Sequence, residues 1–255
     1  MAEKDILILT DEAFRKLRRN EDDMVEKYIR CQAFFPEYPV INALLVAVQR
    51  PDAEILKPKD TWEKEKAAVR KSECPVIILD MSDPSTDKDS IARKELFDIS
   101  QTDRLFGSEL RIRYKSESLQ KGLFSICPVP IESNPRLQSP ARYDRKKGVI
   151  YVRLKEDDPV EWSFVKTIRE VVESVFYLNS PKQEHETVQW KAWLITKMIM
   201  IRYGLRLKEK EQTEMPEQIR NMQEKTFRRT FANMRKVFYR FYEAFEWSIV
   251  EGRNE

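Results

Sequence analysis

The chain has 255 residues, 41% hydrophobic and 35% charged, with 46 Lys+Arg against 43 Asp+Glu for a formal net charge of +3. That length is enough for one large domain or two ordinary ones, and the near balance of charge means that any nucleic-acid binding must come from local patches. The composition excludes a Gly-rich phosphate loop (5 glycines, with no G-x-G-x-x-G or G-K-[ST]), a His-rich metal site (His185 is the single histidine) and a disulfide framework or zinc ribbon (Cys31, Cys74 and Cys127 lie far apart).

No apolar run approaches the ~18 residues of a membrane span. MAEKDILILT lacks the pattern of a secretory signal. The expectation is a cytoplasmic protein with no membrane partner.

In chain order, residues 9–34 predict an amphipathic helix or helix pair opened by Thr10-Asp11 as N-cap, with FFPEYP breaking it. VINALLVAVQ (40–49) reads as a buried helix, ended by Arg50-Pro51 because a residue before proline avoids the helical region. Ile55-Leu56 reads as a short extended piece, and Thr61 as the cap of a charged helix, TWEKEKAAVRK. VIILD (76–80) is a buried strand, MSDPSTDKDSIA a polar loop and KELFDIS (94–100) an antiparallel return.

Residues 105–125 are weakly helical, and CPVPIESNPRLQSP is loop. ARYDRKKGVIYVRL is a hairpin turning at Lys146-Lys147-Gly148. Helices follow over 160–178 and 186–203, the second stopped by Gly204. LKEKEQTEMPEQ is a solvated linker before a long helix over 216–250.

Three constellations could carry chemistry. Arg50, Trp62, Lys64, Lys66, Arg70 and Lys71 place an indole among cations. Single-stranded nucleic acid is held by that combination, with stacking worth about 1–3 kcal/mol per base. The competing reading is a Trp packing a short helix onto the strand beneath a solvated charge run.

In the last helix Phe227, Phe231, Met234, Phe238, Phe241 and Phe245 recur at three- and four-residue steps as a core or partner-facing stripe. Arg220, Lys225, Arg228, Arg229, Arg235, Lys236 and Arg240 face one acid, Glu224, over the same stretch. In FVKTIREVVESVF (164–176), Glu170 and Glu173 pair two carboxylates at i,i+3, either for acid–base or metal chemistry or as surface charge. His185, in a polar loop before a helix, reads as a capping or solvent-facing residue.

Several of these stretches resemble one family. N-ALL-VAVQRPDA (Asn42 to Ala53), Trp62, VRKSECPVIIL (69–79) and LFDISQT (96–102) resemble, in order and spacing, the N-terminal domain of the antirestriction protein ArdC and its relatives on mobile elements. That resemblance implies a single-stranded DNA-binding domain, with Asn42 and Gln49 joining the basic set at the DNA. Ser72 and Pro75 stand where the family has glycines, so that turn must take other backbone angles.

In the same family a zinc-metallopeptidase-like domain follows, with L-x-H-E-x-x-H on a helix and an acidic third ligand on the next. The outline here places Arg169 and Glu173 at the two His positions, Glu170 at the catalytic Glu and Trp193 at the acidic ligand. Arg is a permanent cation and an indole offers no ligating lone pair, so the resemblance implies a degenerate metal site, with no metal and no cofactor.

The expectation is an α+β chain: a small helix/antiparallel-hairpin domain (1–103) followed by a mostly helical zincin-like domain (104–255). Its expected function is that of a non-enzymatic single-stranded DNA-binding protein of a plasmid, phage or integrative element, linked to antirestriction. Its partners would be single-stranded DNA and a restriction, conjugation or replication protein. The alternative is a protein-interaction module using the inactive domain and the aromatic C-terminal helix.

Overall fold

The computed structural model describes residues 3–80, 92–104, 116–153, 159–206 and 214–252. The chain is α+β and divides into two compact units, Met1–Leu110 and Arg111–Glu255. The expected polar loop after VIILD, the start of the weakly helical stretch before Ser116 and the first half of the 207–218 linker lie outside the described residues.

In the first unit, α1 (Glu3–Arg19) begins two turns before the expected cap. Ile6, Ala13, Phe14 and Leu17 already fall on helical period and are buried. Thr10 lies on that buried face, and its hydroxyl donates back to the Ile6 carbonyl at 2.8 Å instead of capping.

Asn20, Asp22 and Asp23 take left-handed backbone angles, which Asn and Asp tolerate, and turn the chain into α2 (Met24–Phe34). Pro36 and Pro39 separate α2 from α3 (Val40–Gln49), whose Val40 and Asn42 to Ala47 are buried as the apolar run predicts.

β1 (Leu56–Lys57), β2 (Val76–Leu79) and β3 (Arg93–Asp98) form an antiparallel sheet in the order β1-β3-β2. Val76 pairs with Leu96 and Leu79 with Arg93, the predicted hairpin. Between β1 and β2, α4 (Lys59–Lys64) starts after Pro58, not at Thr61, and is shorter than the charged run suggests. Ile6 of α1, Leu45 of α3, and Ile77 and Leu79 of β2 close one core cluster.

The second unit opens with α5 (Ser116–Ile126). A mixed sheet follows, ordered β4-β6-β5: β4 (Ile131–Ser133), β5 (Ala141–Asp144) and β6 (Val149–Val152). The β5–β6 hairpin turns at Gly148, φ 65°, as expected. β4, read as loop from sequence, pairs parallel with β6, a non-local contact with no local signature.

α6 (Val160–Asn179) and α7 (His185–Tyr203) follow, and Gly204 ends α7 in the left-handed conformation. The predicted last helix is two: α8 (Glu217–Arg220) and α9 (Glu224–Glu251). Met215, placed by composition in a solvated linker, is 4% exposed.

All six residues of the α9 aromatic stripe are fully buried. The stripe is therefore core and is not offered to a partner. Where α5 meets α9, a Cβ added at Gly122 would stand 2.6 Å from the Phe245 ring and 3.0 Å from the Ala244 carbonyl oxygen. Only glycine permits that helix–helix approach.

Candidate functional site

The first unit joins parts of the VAVQRPDA and LFDISQT stretches into one internal network. Asp98, fully buried, accepts the backbone N–H groups of Glu54 (2.8 Å), Ile55 (3.0 Å) and Ser100 (2.9 Å). Gln101, also fully buried, accepts the Asp98 N–H at 2.8 Å and donates to Glu73 Oε2 (3.0 Å) and the Cys74 carbonyl (2.8 Å).

Glu73 in turn binds Arg70 (3.0 Å) and Arg50 (3.5 Å). Hydrogen bonds from Gln101 and then Arg70, with the Arg50 charge behind them, hold its carboxyl below the ordinary range. Arg50 also donates to Ser100 Oγ at 3.0 Å, and Arg70 to the Ser100 carbonyl. The network fixes the segment between α4 and β2 against the end of β3.

The eight residues expected at DNA separate into three groups. Asn42 donates to the Leu79 carbonyl at 2.9 Å and accepts its N–H at 3.0 Å; Gln49 does the same for Ile77, at 2.8 and 3.0 Å. Both amides seal the outer edge of β2, whose other edge is already paired with β3. Their expected place at the DNA is corrected: their hydrogen-bonding groups are spent inside the fold.

Trp62 is the second correction. It is 0% exposed, packs with Ala67 and Ile99 and donates its indole N–H to the Phe97 carbonyl at 2.8 Å. A fully buried indole has no face for a base, so it packs α4 onto β3, the competing reading. A Trp in a charged run gives no local signal of which way it points. Asp98 and Gln101, missed as organising residues, were visible only as part of the FDISQT match.

The third group is basic. Arg50 is half-buried on Glu73, while Lys64, Lys66, Arg70 and Lys71 are exposed. Lys64 pairs with Asp60 at 3.5 Å, both largely in solvent, where such a pair contributes little. Lys66 and Lys71 hold no ion pair with any described residue. Lys66 carries the segment's left-handed angle, φ 59°, while Ser72 keeps φ below zero.

In the second unit, α6 carries Arg169, Glu170 and Glu173. Arg169 Nε lies 3.7 Å from Glu173 Oε1, an i,i+4 ion pair. Glu170 Oε2 accepts the Tyr143 backbone N–H of β5 at 2.6 Å.

Burial pushes both carboxyls up: Glu173 to about 7, with the neighbouring Glu170 adding to the rise and Arg169 and Arg145 opposing it. Trp193 is 6% exposed, with the Lys197 ammonium 4.8 Å over its ring. His185 opens α7, its Nδ1 2.6 Å from Tyr177 Oη.

The metal ligands of the family that the sequence resembles would fall on α6 and α7, and the residues present at those positions do not fit a metal. One position is a guanidinium, another an indole, and the two carboxylates are engaged by a backbone N–H and by Arg169. Among the described residues, no three His, Cys, Asp or Glu side chains converge to hold a metal ion. A cleft of about 420 Å3 opens beside them, lined by residues 138–142, Trp162, Lys166, Arg169, Glu170, Glu173 and Gln189.

No family model matches this chain, and no curated protein matches it. Solved structures similar to it include two of the antirestriction protein ArdC from plasmid R388. The Mn(II)-bound form has a TM-score of 0.47 at 11% identity, covering 95% of this chain and 93% of that one. The metal-free form has a TM-score of 0.42 at 12% identity, covering 82% and 80%.

Proposed function

We propose that this chain is an ArdC-like, single-stranded DNA-binding protein of a mobile genetic element that acts inside the cell, in antirestriction, without peptidase chemistry. The observation that carries the reading is the basic segment Lys64–Lys71. Its Lys64, Lys66, Arg70 and Lys71 side chains are exposed, the segment is anchored from behind by the Glu73–Gln101–Asp98 network, and it presents two lysines without an ion-pair partner among the described residues. A pre-fixed row of cations suits a phosphate backbone. The lack of metal chemistry rests on the donor set at Arg169 and Trp193.

The test is a salt titration of a fluorescent single-stranded oligonucleotide. Each phosphate contact contributes about −0.7 to the slope of log K on log salt, so Lys66→Ala/Lys71→Ala should flatten the slope by about 1.4. Trp62→Phe should leave the affinity unchanged. No binding by the wild-type chain at low salt, or an unchanged slope in the double variant, overturns the reading.

The protein-interaction alternative keeps one observation in its favour. Trp247 and Val250 stand outward near the end of α9, 59% and 55% exposed. Trp247→Ala should then abolish capture of a partner in a DNA-free pull-down.

A further inference from the structure

From Lys225 to Tyr242, α9 holds no carboxylate, and Lys225, Arg229, Lys236 and Arg240 follow one another at steps of four, seven and four. With 3.6 residues per turn, these four fall within about 60° of the helix circumference. All four are exposed, and none has an ion pair, hydrogen bond or ring contact with a described residue. The other two cations of the stretch point elsewhere and are engaged. Arg228 binds Glu224 at 2.6 Å, and the Arg235 guanidinium lies 4.9 Å over the Tyr239 ring.

The opposite face of the helix is core. Phe227, Phe231, Met234, Phe238 and Phe241 are fully buried, about half a turn around the helix from the cations. Burial along the whole stretch fixes the helix, so the cations hold their spacing over about 22 Å with no further backbone ordering needed on binding. The positive line stops at Arg240, because Glu243 stands on the same side one turn later.

We infer that this face of α9 binds duplex DNA through its phosphates. A duplex carries one negative charge per about 1.7 Å of its axis, so about 13 phosphates lie along the length of the line. A single strand fits less well, because it is held by stacking as well as by charge. No aromatic side chain between Lys225 and Arg240 offers a free face: the phenylalanines are buried, and Tyr239 is half-buried beneath Arg235. Asn233, exposed beside the seven-residue gap, adds a hydrogen-bonding amide. Contacts to phosphate carry no sequence information, so the binding is indifferent to sequence. The inference does not rest on strand binding by the first unit.

The experiment is fluorescence anisotropy of the full chain with a blunt-ended duplex oligonucleotide over a salt series. Four contacts at about −0.9 each give an expected slope of log K on log salt of about −3.6. Lys225→Ala/Arg229→Ala and Lys236→Ala/Arg240→Ala should each flatten it by about 1.8, and alanine preserves the helix. Arg228→Ala/Arg235→Ala removes the same charge from another side of α9 and should leave the slope as it is, with circular dichroism confirming the fold.

Lys66→Ala/Lys71→Ala should leave duplex binding intact, and the α9 variants should leave single-strand binding intact, so the two readings fail separately. Absence of duplex binding at low salt overturns the inference. So does an equal flattening in Arg228→Ala/Arg235→Ala, which would report net charge alone, or a loss of single-strand affinity in the α9 variants as large as their loss of duplex affinity. Capture by phosphatidylserine vesicles or by polyglutamate in place of the duplex would assign the line to a membrane surface or an acidic protein, and overturns it equally.

Discussion

Replacing Asn42 by Leu separates a structural role from a DNA-contacting one. The substitution keeps the number and branching of side-chain heavy atoms and removes both hydrogen bonds to Leu79, at 2.9 and 3.0 Å. Asn42 is 3% exposed and Leu79 4%, so water cannot replace the lost amide. A buried backbone group left unpaired costs about 1–3 kcal/mol, and two are orphaned. Burial of the new isobutyl group offsets part of this at ~25 cal/mol per Å2.

A net loss of about 2–4 kcal/mol is therefore expected for the first unit. Gln49→Met, at a half-buried position, should cost less, about 1–2 kcal/mol. Urea unfolding followed by circular dichroism measures both, and a strand-binding titration at a temperature where the variants are folded runs alongside. Wild-type stability in Asn42→Leu together with weakened strand binding would refute the reasoning and return Asn42 to the DNA.

Two further expectations concern the second unit. The fold raises the Glu173 carboxyl from 4.5 to about 7 and so favours its protonated form. The stability linked to it is full below pH ~4.5 and lost as pH rises through ~7, about 3 kcal/mol at 1.36 kcal/mol per pH unit. Glu173→Gln, a mimic of the protonated state, should flatten the stability–pH curve over that window; parallel losses in both proteins would sink the assignment. Gly122→Ala gains about 1 kcal/mol of helix propensity, yet its methyl meets the Phe245 ring at 2.6 Å. Overpacking of about 1–3 kcal/mol should win, lowering the melting temperature; a higher melting temperature would mean that α5 and α9 can separate without cost.

Much of this fold was legible because its signals are local. The all-apolar run of α3, the β-branched VIIL strand, Gly148 and Gly204 at left-handed turns and the phenylalanine stripe of α9 each announce an element within a few residues of themselves. What could not be read depends on distant partners. The parallel pairing of Ile131–Ser133 with β6, the burial of Met215 and the start of α1 follow from packing and not from neighbours in sequence.

The site shows the same division. Arg169–Glu173 is an i,i+4 pair, a spacing that helix geometry alone brings together. Trp62 was ambiguous because its environment is set by Phe97, 35 positions away. The motif match located Asn42, Gln49, Asp98 and Gln101 without saying that their work is architectural.

The amides on α3 have a consequence for how the helix finds its place. Asn42 meets Leu79 and Gln49 meets Ile77, so the helix runs against the strand direction. Seven helical residues rise about 10.5 Å, whereas two strand residues advance about 6.8 Å, and the longer Gln side chain helps bridge the difference. The two scales coincide at one setting, like a vernier. Sliding α3 by a turn, about 5.4 Å, would match neither amide to a peptide group. Greasy helix faces can pack at many offsets with similar energy; this pair of side chains permits one.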